Sequence, residues 1–134
     1  MSPEERAAVL SGIAPGAAAA HYPLLRTIFR AEMGYRAEQP AGDRFENLYH
    51  CAFLLHCVGD VQDVETMWEA KHIDFDTGLG FDLNFLVGAG VSQTVAYLRS
   101  IGRDDIADGL AGADDGAELA RWRQFRQRYF YPQA

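Results

Sequence analysis

With 134 residues, of which 49% are hydrophobic and 12% aromatic, the chain can bury one core, so its composition excludes a disordered protein and predicts a single domain over residues 1–134. No apolar run reaches the roughly 18 residues of a membrane span, and the net charge of −7 disfavours nucleic acid as a partner. Two cysteines are too few for a disulfide-stabilised secreted domain, and M-S-P-E-E-R lacks the features of a secretory signal, so we expect a cytoplasmic protein.

The charge is unevenly distributed along the chain. Residues 1–42 contain four acidic and four basic residues. Residues 43–118 contain 15 acidic residues against four basic ones, a net of −11, whereas residues 119–134 contain four arginines and no acid. The middle of the protein is therefore expected to project a negative potential, which attracts basic proteins and repels phosphates. The sequence leaves open the alternative that this charge serves solubility alone.

The spacing of apolar residues and the positions of capping residues predict eight helices. In chain order they cover residues 3–10, 22–36, 44–58, 61–72, 81–87, 91–101, 104–110 and 117–129. Ser2, Asp43 and Asp60 are the expected caps of the first, third and fourth helices, and residues 37–42 are predicted to form a loop. The apolar stripe of the second helix is predicted to consist of Leu24, Leu25, Ile28, Phe29 and Met33.

The helix predicted over residues 44–58 is apolar on nearly all of its faces, so we expect it at the centre of the molecule. Cys51 and Cys57 lie six positions apart on this helix. That separation places their side chains about 240° apart around the axis, which prevents a disulfide within the helix. Both cysteines are expected to be reduced core residues.

No segment sustains the alternating pattern of a β-strand. Because the predicted turns are short, successive helices should form antiparallel pairs, namely 44–58 with 61–72, 81–87 with 91–101, and 104–110 with 117–129. We therefore predict an all-α fold, a compact bundle of seven or eight short helices in antiparallel pairs. Their stacking would be solenoid-like, similar to HEAT or ankyrin repeats.

Two acidic patterns lack the residues that their chemistry would need. Residues 76–78 spell the D-T-G of aspartic proteases, but predicted helices rather than strands flank them. Asp74, Asp76 and Asp82 do not fit a calcium loop, which would need an oxygen ligand at position 78, a glycine at 79 and a glutamate at 85. We expect Asp74 and Asp76 to end one helix and Asp82 to lie in the first turn of the next.

The histidines do not suggest a metal site or a catalytic site either. His50 and His56 are six residues apart rather than the four that place two ligands on one helical face. Glu69 and His72, three apart, could form an acid–base pair, but such pairs are common on exposed helices. We therefore expect no catalytic residue, no metal and no cofactor.

The last predicted helix combines an aromatic stripe with four arginines, at positions 121, 123, 126 and 128. Such a helix could contact nucleic acid or a membrane surface. Because the rest of the chain is acidic, we expect these arginines to pair with nearby acids instead, at positions 104, 105, 108, 114, 115 and 118, and Trp122 to lie in the core.

Three segments between Glu46 and Ile101 carry a resemblance to a known group. They are E-N-L-Y-H-C-A-F-L-L at 46–55, M-W-E-A-K-x-x-D-F-D-T at 67–77 and F-L-V-G-A-G-V-x-x-T-x-x-Y-L at 85–98. This stretch resembles small bacterial proteins that serve as immunity components of polymorphic toxin systems. The resemblance implies a non-catalytic protein that binds and neutralises one toxin domain, and it assigns no individual residue a role.

The partner-binding residues are predicted from the acids at the ends of helix pairs, because turns collect side chains on one rim of a stacked array. A first group comprises Glu65, Glu69, Asp74, Asp76 and Asp82 together with Trp68, which is either a core residue or an exposed anchor, and a second group comprises Asp104, Asp105 and Asp108. We favour the first group, since the arginines of the last helix could neutralise the second. The predicted partner is a basic toxin domain, with no role for nucleic acid or a membrane; a general helical scaffold or regulatory protein and an uncharacterised enzyme remain alternatives.

Overall fold

The computed structural model describes residues 1–40 and 45–133, which form eight α-helices, three short 3-10 helices and no strand. The α-helices are α1 (Pro3–Ser11), α2 (Tyr22–Glu38), α3 (Glu46–Val58), α4 (Val64–Lys71), α5 (Phe75–Gly80), α6 (Val91–Ser100), α7 (Asp104–Leu110) and α8 (Ala117–Phe130). The 3-10 helices are Pro15–His21, Val61–Asp63 and Leu83–Val87. The predicted all-α compact bundle is confirmed.

Helix α3 lies at the centre of this bundle, as its apolar faces predict. Every residue from 47 to 56 is buried, because α3 is covered by α2, by α1 and by the 3-10 helices Pro15–His21 and Leu83–Val87. A helix enclosed on all sides needs apolar residues on all sides. Helix α3 was expected to pair with α4, but it packs mainly against α2. Likewise, α7 was expected to pair with α8, but it packs mainly against α6.

A buried ion pair joins the first three helices. Arg6 Nε of α1 donates to Glu32 Oε1 of α2 at 2.6 Å, and the Glu32 side chain is only 1% exposed. Asn47 of α3 donates its amide to the same carboxylate oxygen and to the Pro3 carbonyl, both at 2.9 Å. Burial of this pair is tolerated because neighbouring polar groups share the charge. The sequence did not reveal Glu32 as a core residue.

Several predicted boundaries are confirmed and others are wrong. Ser2 caps α1 with a capping box that includes Glu5, and α2 extends through Glu38, two residues into the predicted loop. Leu24 is exposed because the buried face of α2 is formed by residues 25, 28, 29 and 32, about 100° away. Cys57 is exposed where α3 leaves the core, so the prediction of a core cysteine holds for Cys51 alone.

The predicted fourth and fifth helices differ most from the structure. Asp60 caps the 3-10 helix Val61–Asp63, from which α4 continues. Residues 81–87 contain a 3-10 helix rather than an α-helix, and the unpredicted α5 lies between these elements. The predicted cap Asp43 and the helix start at Arg44 lie outside the described residues.

Among the described residues, no single helix is long and apolar enough to cross a membrane. Helix α1 and the segment Pro15–Glu38 meet that criterion of length and composition only as a pair, which is bent by 119°.

Candidate protein-binding surface

Helix α5 begins at an aspartate that the sequence analysis assigned to the end of a helix. Asp74 is its N-cap, with extended backbone, and its carboxylate accepts the Thr77 amide N–H at 2.7 Å. This hydrogen bond, followed by the nearby Arg36 guanidinium, lowers the pKa of Asp74. The expectation that Asp74 and Asp76 end a helix is therefore wrong, because the Asp74 side chain satisfies an N-terminal donor of α5 and Asp76 lies in the first turn of that helix.

Three side chains from other elements hold the backbone and the buried threonine of α5. Arg36 Nε of α2 donates to Thr77 Oγ1 at 2.7 Å, and the Tyr49 hydroxyl of α3 donates to the Thr77 carbonyl at 3.2 Å. Lys71 Nζ donates to the carbonyls of Gly78 at 2.8 Å and Phe81 at 2.7 Å. An isolated six-residue helix is unstable in water, so these contacts determine its position.

The two glycines of α5 allow it to lie directly on the core. A methyl group at Gly78 would come within 2.8 Å of the Lys71 carbonyl oxygen, and one at Gly80 would come within 2.6 Å of the Tyr49 hydroxyl oxygen. Both distances are shorter than van der Waals contact. Glycine is needed here because of close packing.

The outer face of α5 carries two large apolar side chains. Phe75 is 79% exposed and Leu79 is 70% exposed, and they lie four residues apart on one side of the helix. Phe75 stands between two shallow grooves of about 410 and 390 Å³, and both grooves are lined by Asp74 and Phe75. We define the α5 surface as Phe75, Asp76 and Leu79 with His72, which lines the second groove, and Glu69, one turn earlier on α4.

Of the first predicted acidic group, three members are engaged within the protein. Asp74 caps α5, and Glu65 Oε2 pairs with Arg103 at 2.7 Å. Asp82 Oδ2 accepts hydrogen bonds from Trp122 Nε1 at 2.8 Å and from Arg126 at 2.7 Å. Asp82 is therefore held by α8 through this oxygen.

The remaining two acids of that group are exposed. The carboxylates of Glu69 and Asp76 make no hydrogen bond or ion pair within residues 1–40 and 45–133. Trp68 is half-buried; its ring is tilted by 42° against that of His72, with 4.6 Å between the centroids, and its edge would lie 3.3 Å from a Cβ at Gly109. The structure thus brings Glu69 and Asp76 to the solvent side, while Trp68 mostly packs against the body of the protein.

The second predicted group is neutralised, but not by the last helix. Arg99 pairs with Asp104 at 3.2 Å and with Asp108 at 3.0 Å. Arg103 holds both oxygens of Asp105 at 3.1 Å, which lowers the pKa of that carboxyl. The expectation that the α8 arginines pair with these acids is wrong, because arginines adjacent in sequence are closer.

Helix α8 instead directs several polar side chains toward α3 and toward the segment that follows α5. Trp122 is half-buried against the rings of Phe53 and Phe85, so it packs against the core rather than lying within it as expected. Arg126 binds Asp82 as described, and Arg123 Nε donates to His56 Nε2 at 2.8 Å. Within the part of the chain that the structure describes, Arg121 and Arg128 have no ion-pair partner.

The buried histidines are structural elements of the α3–α8 contact. His50 is within 2.9 Å of the Tyr131 hydroxyl, which donates to the Ile13 carbonyl, so His50 Nε2 is the donor to Tyr131. Burial lowers the pKa of His50 to about 4, and burial with the Arg123 charge lowers that of His56 to about 4. Both rings are therefore neutral at pH 7.

No grouping of three or more His, Cys, Asp or Glu side chains suited to a metal ion exists among the described residues. Glu69 and His72 do not contact each other there; His72 Nδ1 is instead 2.7 Å from the Trp68 carbonyl. That the protein needs no metal or cofactor stays a prediction.

The sequence pattern did not reveal Phe75 and Leu79, the two most exposed large apolar side chains among the described residues. Asp74 before an apolar residue, with Asp76 in the following turn, was a signal of a helix start. The helix was not predicted because glycines at 78 and 80 are typical of a turn, whereas here they allow close packing.

No protein-family model, curated protein or solved structure matches this chain.

Proposed function

We propose that this chain is a non-catalytic immunity protein, which binds and neutralises a basic toxin domain through the α5 surface. The observation that carries the proposal is the position of Phe75 and Leu79, both largely exposed on a helix whose backbone is held by Arg36, Tyr49 and Lys71. Exposed apolar side chains reduce solubility, and contiguous ones mark interaction sites.

The local charge supports a basic partner. Glu69 and Asp76 are exposed without internal partners among the described residues, and Asp76 lies between Phe75 and Leu79 in the sequence of α5. The stretch 43–118 to which both acids belong carries a net of −11 from 15 acidic and four basic residues. Opposite charge on the partner would accelerate association and fix its orientation. A solubility role for the same charge would not require exposed apolar side chains among the acids.

The polar network around α5 supports binding rather than catalysis. Its donors, from Arg36, Tyr49 and Lys71, are used to hold Thr77, Gly78 and Phe81, so they are directed toward the backbone and not toward an open site. A general base must lie within hydrogen-bonding reach of the substrate proton that it abstracts. The α5 surface offers shallow grooves and an apolar ridge instead.

The first experiment tests neutralisation. The chain is co-expressed with the basic domain encoded by an adjoining gene, and growth of the host and co-purification of the two proteins are measured. Restored growth together with a one-to-one complex is expected. An adjoining region that encodes no such domain, or a domain that is neither bound nor neutralised, would contradict the immunity proposal.

Charge reversal tests the surface. The double variant Glu69→Lys with Asp76→Lys should slow association about tenfold at low salt, because steering by these carboxylates is lost. The control variant Asp115→Lys with Glu118→Lys changes the net charge equally at two other exposed acids. Equal slowing by both variants would mean that the overall field rather than the α5 surface guides the partner.

A further inference from the structure

The apolar side chains of the α5 surface are more exposed than any other large apolar side chain of the described residues. Phe75 and Leu79 are 79% and 70% exposed, whereas the other exposed large apolar side chains of the described residues range from 37% to 59%. These two side chains also share one helical face, four residues apart. They form a compact pair, so a partner that covers one of them also covers the other.

The pair is rigid before any partner arrives. The backbone of α5 is fixed through Thr77, Gly78 and the following Phe81 by donors from α2, α3 and α4. Binding therefore costs little ordering of the chain, which is the main entropic penalty of an interface built on a loop. Phenylalanine has two rotatable side-chain bonds, so its own ordering is also inexpensive.

The shape around Phe75 is convex. Its ring separates one groove that is lined by Arg36, Ile73 and Asp76 from another that is lined by His72 and Leu79. A flat partner surface would leave both grooves open, whereas a concave one would enclose the ring and let its rim enter them. The complementary surface is therefore a pocket.

The charge around Phe75 determines the rim of that pocket. The Arg36 guanidinium is 3.7 Å from Asp74 and its side chain is 11% exposed, and Lys71 is directed to the carbonyls of Gly78 and Phe81. Glu69 and Asp76 are exposed and their carboxylates have no partner among the described residues, whereas the exposed His72 has its Nδ1 2.7 Å from the Trp68 carbonyl. Basic side chains on the partner are the groups that can pair with these carboxylates.

We propose that the partner domain carries an apolar pocket rimmed by lysine or arginine, and that Phe75 enters this pocket as the anchor with Leu79 at its edge. The inference rests on the proposed function, because it describes the partner of the same surface. The apolar pair governs how long the complex lasts, since buried aromatic anchors act on dissociation. The two carboxylates govern how fast it forms.

The test uses the complete chain and the basic domain of the adjoining gene, with association and dissociation measured separately by surface plasmon resonance at two salt concentrations. Phe75→Ala should accelerate dissociation by about 30-fold and leave association nearly unchanged. The double variant Glu69→Gln with Asp76→Asn should slow association, leave dissociation nearly unchanged and reduce the salt dependence of association. Leu24→Ala, which removes an exposed side chain of α2, is the matched control and should change neither rate.

The outcomes separate this inference from the proposed function. A stable complex whose dissociation is the same for Phe75→Ala and Leu24→Ala overturns the anchor and leaves neutralisation intact. No complex with the unaltered chain overturns both proposals. Light scattering on the chain alone provides the second check, because a dimer that Phe75→Ala converts to a monomer would mean that a second copy occupies the surface, which also overturns the proposal.

Discussion

Because α5 packs closely on the core, replacing a glycine by alanine should destabilise the protein at position 80 and stabilise it at position 34. In Gly80→Ala, the new methyl group would lie 2.6 Å from the Tyr49 hydroxyl oxygen and 2.8 Å from its Cζ. The Tyr49 ring is 7% exposed and packs against Phe81 with 6.0 Å between the centroids, so it has little room to move. The substitution must displace α5 or the ring.

The cost follows from the contacts that are lost. Overpacking a core contact costs about 1–3 kcal/mol, and loss of the hydrogen bond from Tyr49 to the Thr77 carbonyl costs about 1 kcal/mol. The better helix propensity of alanine returns at most about 1 kcal/mol. We therefore expect Gly80→Ala to lower the free energy of unfolding by about 1–3 kcal/mol, measured by urea denaturation with an unchanged m-value.

Gly34→Ala is the matched control, because nothing lies within 4 Å of the methyl position at Gly34 in α2. It should stabilise the protein by about 0.5–1 kcal/mol through helix propensity alone. A Tyr49→Phe background should reduce the cost of Gly80→Ala, since the hydroxyl contact is absent there. If Gly80→Ala stabilises the protein as much as Gly34→Ala does, the placement of α5 against Tyr49 is wrong.

Three other predictions concern the core, pH and metal. Leu55→Ala should cost about 2–5 kcal/mol in urea denaturation, because Leu55 is 2% exposed in α3; a cost under about 0.5 kcal/mol would contradict its central position. The pKa of His56 is about 4 in the folded protein and near 6.5 when unfolded, so stability should fall by up to about 3 kcal/mol as the pH drops from 6.5 to 4. His56→Gln should flatten this part of the pH profile relative to the unaltered chain, and an unchanged slope would mean that His56 is solvated. Chelator treatment should leave the melting temperature unchanged, and a loss of stability that added metal restores would refute this.

The helical class could be predicted because local signals and the fold agree in most segments. Ser2 with Glu5 forms the capping box that the first turn indicates. The apolar faces of α3 required a central position, and ten consecutive buried residues occupy it. These features depend on neighbours a few residues away in sequence, which periodicity detects.

The pairing of helices and the details of the surface depend on distant residues, which periodicity does not detect. The buried Glu32 is an example, because its burial depends on Arg6 and Asn47, 26 and 15 residues away. Likewise, the sequence places Asp82 in the first turn of a helix, whereas the structure shows it bound by Trp122 and Arg126, 40 and 44 residues later. Eight candidate acids and one aromatic residue could be named from charge and position, but the division of the acids into internal and exposed groups could not.

The same division shows how the basic last helix and the acidic middle segment contribute to one fold. Arg126 and Trp122 of α8 bind Asp82. Asp82 follows Phe81, whose carbonyl accepts a hydrogen bond from Lys71, the last residue of α4. Lys71 and Arg126 thus satisfy backbone carbonyls and an acid within the protein. If every acid were paired in this way, the outer face would carry no charge to attract a basic domain. Because Glu69 and Asp76 remain outside this network, a protein with internal ion pairs still presents unpaired carboxylates, one of them on the same helix as Phe75 and Leu79, the most exposed large apolar side chains among the described residues.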